Sequence, residues 1–244
     1  MKTFPILFAY EDIKEMYPKP NGFYSFLKRS IKSGNIKQIK KGLYALVDRS
    51  TGQIYATKFQ IASKLFNDSY FSYHDALEYY GLATQSFVSQ FTYLTHVRVD
   101  PFEFEGVTYN SKVSKCDLEI TDHIKENGIR VVSLERAIVD SIDNYRLGGG
   151  LEEVELALDS AKNLSIEAIG QLLRHYDKAS LYQKVGYLFE KHFGNEIPSS
   201  FYKLCLSKIG SKKIYLDCGP GRTKLIPQWN LIVRDDGDMP DELF

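Results

Sequence analysis

Apolar and polar positions change their period early in the chain. From Asn21 to Ser33, Phe23, Phe26/Leu27 and Ile31 recur three or four residues apart, and Tyr24, Ser25, Lys28, Arg29 and Lys32 fall on the opposite side. That spacing predicts an amphipathic helix with a core face and a cationic face. Asn21 is placed to cap its start, and Gly34 to end it through a positive φ. From Ile36 the period drops to two: Ile36, Gln38 and Lys40 share one parity, Lys37, Ile39 and Lys41 the other, and Leu43-Tyr44-Ala45-Leu46-Val47 follows. Two short strands turning around Lys40-Lys41-Gly42 are predicted. Ahead of the helix, Tyr10 to Tyr17 turns Ile13 and Met16/Tyr17 inward until Pro18-Lys19-Pro20 stops it. Helix, helix and hairpin in that order give a winged helix-turn-helix. Its second helix would lie in a groove, with the wing lysines Lys37, Lys40 and Lys41 at phosphate height.

The rest of the chain alternates between the two periods. A helix is predicted from about Ala56 to Phe66, and another from Tyr73 to Tyr80 with Ser72 as its cap and Gly81 as its end. Gln90 to Val113 reads as extended, with Phe102/Phe104 alternating against Glu103/Glu105 before a Gly106 turn, and Ile129 to Val132 adds a strand. Ser133 caps a helix that begins at Leu134. Gly148-Gly149-Gly150 then reads as a hinge, since a phosphate-binding loop would need a different glycine spacing and a preceding strand. Helices follow at Leu151–Ala161, Ile166–Tyr176, Leu181–Phe193 and Ser200–Ile209. Lys213–Asp217 and Leu225–Val233, around Gly219-Pro220-Gly221, should pack back with Trp229 buried, and the acidic Asp235–Phe244 tail should fray. The expected architecture is α+β, that is mixed α/β. A winged head, 1–54, precedes a larger body, 55–244, that is strand-rich over 85–132, helical over 133–210 and extended again over 213–233.

Charge sharpens this division. Residues 1–60 hold 11 Lys+Arg against 4 Asp+Glu, a net of +7, and the remaining 20 against 27 give −7, so the neutral total of 31 against 31 hides a basic head on an acidic body. A phosphate backbone would attract the one and repel the other. Hydrophobic content of 43% with 25% charged residues excludes a disordered chain. No cleavable leader and no run of ~18 apolar residues is evident, which places the protein in the cytoplasm, away from membranes. Cys116, Cys205 and Cys218 form no C-x-x-C pair and are read as reduced, half-buried thiols.

Catalytic signatures are missing. No H-E-x-x-H, G-x-S-x-G, Walker or G-x-G-x-x-G element occurs, and His74, His96, His123, His175 and His192 show no metal-ligand spacing. His74-Asp75 is the nearest thing to a pair, but neighbours on a helix point about 100° apart, which argues against shared acid–base work. Asp100, Glu103, Glu105, Asp117 and Glu119 are the densest acidic group on strands, where a metal-dependent nuclease would keep its ions. The lysine that should follow each glutamate by two residues is absent, so a solvated sheet face is the preferred reading. No enzyme activity, cofactor or metal is expected.

Five stretches, in order, carry a resemblance: KKGLYALVDRS after the short helix, SYHDALEYYGLATQ, VVSLERAIVDSIDNYRLGGGLEEVELAL, LYQKVGYLFEKHFG and IPQWNLIV. Together they resemble the AbiEi-type antitoxins of bacterial abortive-infection systems, which are also described as transcriptional regulators. The resemblance implies a winged head that binds inverted repeats in its own promoter, with room for a dimer on the DNA. It also implies a body that opposes a nucleotidyltransferase toxin encoded next to it, without an obligatory stable complex. On this sequence Lys28, Arg29 and Lys32 match the recognition-helix cations, and Lys40 and Lys41 the wing. Only Phe4 to Ala9 precedes the first helix, where longer members have more. A metal-dependent nuclease or nucleotide-modifying enzyme with a DNA-targeting head is the alternative, and an RNA-binding interaction module is a third reading.

Overall fold

Helix and sheet sort into two compact units, and the protein is mixed α+β. The computed structural model describes residues 4–123, 127–217 and 221–235. The first unit takes the chain up to Phe71 together with Phe87–Cys116 and Ile120–Val131; the second takes Ser72–Ser86, Asp117–Glu119 and the chain from Val132 onward. A cut at residue 54 therefore separates neither unit. The segment after the hairpin, up to Phe71, belongs with the head.

The first unit opens with β1 (Leu7–Phe8), the four-residue α1 (Tyr10–Ile13), α2 (Pro20–Lys32), β2 (Ile36–Lys40) and β3 (Leu43–Leu46). The three strands form a sheet in the order β1-β3-β2. Lys40 pairs with Leu43, so Lys41-Gly42 is a two-residue turn, and Gly42 takes the positive φ of +87° that such turns demand. Phe8, Ile13, Phe23, Leu27, Ile36 and Tyr44 make a small core of their own. The first helix is shorter than the Tyr10–Tyr17 period predicts. Met16 stays exposed, and the Ile13 carbonyl ends the helix by accepting the Met16 and Tyr17 N–H groups.

The chain continues through α3 (Lys58–Lys64) and a six-stranded sheet ordered β6-β7-β5-β4-β9-β8. Its strands are β4 (Tyr70–Phe71), β5 (Gln90–Thr95), β6 (Phe102–Phe104), β7 (Val107–Val113), β8 (Ile120–His123) and β9 (Ile129–Val132). Thr57 and Gln60 cap α3 reciprocally. The Phe102/Phe104 alternation is a hairpin strand as predicted, turned by Glu105 and Gly106 at φ +47° and +78°. β7 then lies between β6 and a parallel β5, a pairing no local pattern announces. Phe59, Phe71, Phe91 and Tyr109 fill the helix–sheet contact with ring centroids 5.4–5.8 Å apart. Asp12 of α1 is tied to α3 by Lys64 at 2.9 Å, and Lys37 of β2 to the β6–β7 turn by Glu105.

The second unit is helical: α4 (Tyr73–Tyr79), α5 (Leu134–Asp143), α6 (Leu151–Ser160), α7 (Ile166–Tyr176), α8 (Ala179–Phe193) and α9 (Ser199–Lys208), closed by a sheet ordered β10-β12-β11. That sheet holds β10 (Ile214–Tyr215), β11 (Thr223–Ile226) and β12 (Leu231–Arg234). Boundaries agree with the periodicity to a residue or two, because Ser133 and Ser165 cap α5 and α7 as their positions suggest. Ser72 begins α4, yet its hydroxyl donates to Asp140 rather than capping the helix. Cys116 and Cys205 are free thiols, buried rather than half-buried, and burial pushes the Cys205 thiol up to about 12. Cys218, the Gly219-Pro220 part of the last turn and residues 236–244 of the tail lie outside the described residues.

Trp229 is buried as expected, and Gly186 of α8 makes room for it. Gln183 donates to the Trp229 carbonyl at 3.0 Å, and the indole N–H donates to Glu190 at 2.6 Å. A Cβ on Gly186 would stand 2.2 Å from the indole ring. Gly186→Ala is therefore expected to destabilise by about 1–3 kcal/mol through overpacking, although alanine favours a helix by about 1 kcal/mol over glycine. Thermal denaturation checks this; an unchanged or raised Tm would contradict the packing described.

Candidate nucleic-acid interface

Pro20 is the first residue of α2, where its missing N–H costs nothing, and Lys19 precedes it without a side-chain cap. Asn21, the expected cap, is instead the second residue of the helix, two positions past the cap. The C-terminal end follows expectation: Gly34 has φ +72°, and the Ser33, Gly34 and Asn35 N–H groups return to the carbonyls of Arg29, Ile31 and Ser30. Thirteen residues lie between these limits.

The helix presents the two faces that its period predicts. Phe23 and Leu27 are buried and Phe26 is half-buried, whereas Tyr24, Ser25, Lys28, Arg29 and Lys32 are all exposed. Residues 24 and 28, 25 and 29, and 28 and 32 are each four apart, so the five side chains form one strip. The Arg29 Nε donates to the Ser25 carbonyl at 3.3 Å, which lays its guanidinium along the strip. Ile31 departs from the expected core stripe. It is 41% exposed and lines a groove with Ile36, Val47 and Phe104.

The wing lysines have three different fates. Lys41, at the turn, is exposed. Lys37 pairs with Glu105 and donates to the Gly52 carbonyl at 2.8 Å. Lys40 is half-buried: its ammonium donates to the Leu65 carbonyl at 2.5 Å and sits 3.6 Å above the Phe66 ring, and burial lowers its pKa. A bulge between Gln38 and Lys40 accounts for this. Strict alternation would set Ile36 and Ile39 on opposite faces, but the extra residue lets both be buried and re-aims Lys40 toward α3. Lys37 and Lys40 are thus not presented as the lysines expected to face phosphate would be. Arg49, which no local pattern singles out, is an exposed cation that donates to Asn35 just beyond α2.

Comparison with known proteins bears on the fold alone. No family model matches the chain, and no curated protein matches it. The crystal structure of the RV2827C protein from Mycobacterium tuberculosis is similar, with a TM-score of 0.62 over 94% of this chain and 86% of that one, at 13% identity. The likeness supports the mixed α+β class.

The remaining candidates separate clearly. Asp100, Glu103 and Glu105 are exposed, Glu105 is engaged by Lys37, and Asp117 is exposed with Glu119 half-buried. None of them belongs to the cluster of metal-type ligands found among the described residues, which is His74, Asp75 and Glu78. The glycine triplet begins α6: Gly149 and Gly150 have φ +92° and +109°, and Gly150 is its N-cap. Glu152 and Glu153 fill the first turn, an arrangement that opposes a bound phosphate. Among the described residues no helix is long and apolar enough to cross a membrane.

The wing lysines can be told apart by stability. Lys40→Ala removes a hydrogen bond to a carbonyl and a cation–π contact and is expected to cost about 1–2 kcal/mol, whereas Lys41→Ala at the exposed turn should change stability by less than about 0.5 kcal/mol. Urea denaturation of the two variants decides; equal midpoints would contradict the inward placement of Lys40.

Proposed function

We propose that this protein is a sequence-specific DNA-binding autorepressor and an antitoxin that counteracts a neighbouring nucleotidyltransferase toxin, acting in the cytoplasm. The observation that carries the DNA-binding half is the exposed strip Tyr24, Ser25, Lys28, Arg29 and Lys32 on a thirteen-residue helix beside a two-residue-turn hairpin. Helix and hairpin in this order support reading the head as a winged helix-turn-helix. Three turns of helix fit a major groove, and hydroxyl, ammonium and guanidinium groups on one strip suit both phosphates and base edges. The antitoxin half rests on the resemblance to AbiEi-type proteins carried by the five ordered stretches. Among the described residues none of Asp100, Glu103, Glu105, Asp117 and Glu119 joins the cluster of metal-type ligands, so a nuclease reading placed on those strands has less support.

Lys28, Arg29, Lys32 and Lys41 are the candidate-site cations left for phosphate contact. About four contacts per head give a log–log salt slope of roughly −3 to −4 on duplex DNA. Fluorescence anisotropy on the protein's own promoter at several salt concentrations measures it, and a flat response would remove the electrostatic basis of the proposal. Arg29→Ala is expected to lose about 1–3 kcal/mol on the operator and less on random duplex, while Lys41→Ala weakens both alike. Magnesium-dependent cleavage of the same DNA would favour the enzyme reading, and preference for single-stranded RNA the third.

The two proposed roles separate in cells. The full chain carrying Lys28→Ala and Arg29→Ala should fail to repress its promoter yet still protect cells in which the neighbouring toxin is expressed from an unrelated promoter. Loss of protection in that variant would show that the antitoxic effect runs through DNA binding alone.

A further inference from the structure

Helix α4 in the second unit carries chemistry that the DNA-binding reading does not use. His74 and Glu78 lie four residues apart, and so rise on one side of the helix, and Asp75 adds a second carboxylate. One ligand atom from each of the three lies within 4.8 Å of the others. His74 is 1% and Asp75 5% exposed, and Glu78 is half-buried. A histidine and two carboxylates at this spacing are a donor set that suits a divalent ion.

The surroundings are arranged as those of a ligating histidine and carboxylate are. Glu153 Oε1 faces His74 Nε2 at 3.5 Å. The hydroxyl and N–H of Thr84 and the N–H of Gln85 all donate to Glu153, which fixes that carboxylate in place. A carboxylate beside Nε2 favours the tautomer protonated there, which would make Nδ1 the ligating nitrogen. Ser86 donates to Glu78 Oε1 at 2.7 Å, which orients that carboxylate too. Gly149 presses on the imidazole from behind: a Cβ there would stand 2.8 Å from His74 Cδ2 and 2.9 Å from Glu153 Cγ.

We propose that His74, Asp75 and Glu78 bind a divalent first-row transition ion, zinc or manganese, through one imidazole nitrogen and two carboxylate oxygens, with Glu153 positioning the imidazole. Ligands about 2.0–2.2 Å from such an ion stand roughly 3–4.4 Å apart, so small side-chain rotations close the cluster around it. The imidazole selects against calcium and magnesium, which prefer an all-oxygen set. Three protein ligands leave a position for water.

The test uses tag-free full-length protein, stripped with EDTA, desalted, and titrated calorimetrically with zinc or manganese chloride. One ion per chain is expected, with a higher Tm in the ion-bound protein and binding of calcium and magnesium at least tenfold weaker. Glu78→Gln, a half-exposed position that should leave folding intact, is expected to lose tenfold or more in affinity. Glu153→Gln should weaken binding less, and Glu103→Gln, on an exposed strand of the other unit, not at all. Absence of stoichiometric binding by the unaltered protein, calcium binding equal to that of zinc and manganese, or Glu78→Gln binding like the unaltered protein would each overturn the proposal.

Discussion

Arg136 has no exposed surface, and a guanidinium cannot shed its charge by losing a proton, so the second unit must be built around what it requires. One η-nitrogen donates to the Leu118 carbonyl at 2.6 Å, and its Nε donates to Asp140 one turn along α5 at 3.3 Å. Burial pushes the Asp140 carboxyl above its usual range, and Arg136 with the hydroxyls of Ser72 and Tyr176 offsets only part of that rise. The start of α4, the Leu118 strip, α5 and the end of α7 are thereby held to one charged centre. Removing one partner of such a pair typically costs about 3–5 kcal/mol, more than most single apolar contacts supply. The pair is best understood as setting which arrangement of helices forms, with Ala137, Ile138, Val139 and Ile142 of the same helix supplying the apolar burial.

Much of this fold is legible along the chain, and what is illegible has a common cause. Helices α5 to α9 are announced by apolar periods within each segment, and α5 and α7 also by the caps Ser133 and Ser165, signals that need no partner. The β6–β7 hairpin is announced by Phe102/Phe104 and Gly106 for the same reason. By contrast β4 is two residues long, too short for any period, and the insertion of β7 between β6 and β5 depends on contacts far apart in sequence. Ser72 looks like a cap and occupies the cap position, yet its hydroxyl makes no cap bond and donates instead to Asp140, 68 residues away. The head's boundary is hidden likewise, since Lys37–Glu105 and Asp12–Lys64 join it to the β6–β7 turn and to α3 through side chains that look merely solvated.

The candidate sites divide along the same line. The cationic strip of α2 follows from a 3.6-residue period over one helix, so Tyr24, Ser25, Lys28, Arg29 and Lys32 are where the pattern sets them. A two-residue period cannot foresee the bulge that turns Lys40 toward Leu65, nor the distant acid that takes Lys37. His74 fails differently: its partner Glu78 is visible at the fourth residue on, but comparison with the adjacent Asp75 alone hides it, and Glu153 comes near only through the turn at Gly149-Gly150.

If the head meets DNA through α2, its lysines must divide into those that duplex shields and those already engaged within the fold. Amine-reactive labelling of the full chain with and without promoter duplex, read out by mass spectrometry, measures this directly. Lys28, Lys32 and Lys41 should react readily in the free protein and be protected on DNA, while Lys40 should react slowly in both. Protection confined to lysines of the second unit, with Lys28 and Lys32 as reactive on DNA as off it, would contradict a DNA-reading helix at this end of the chain.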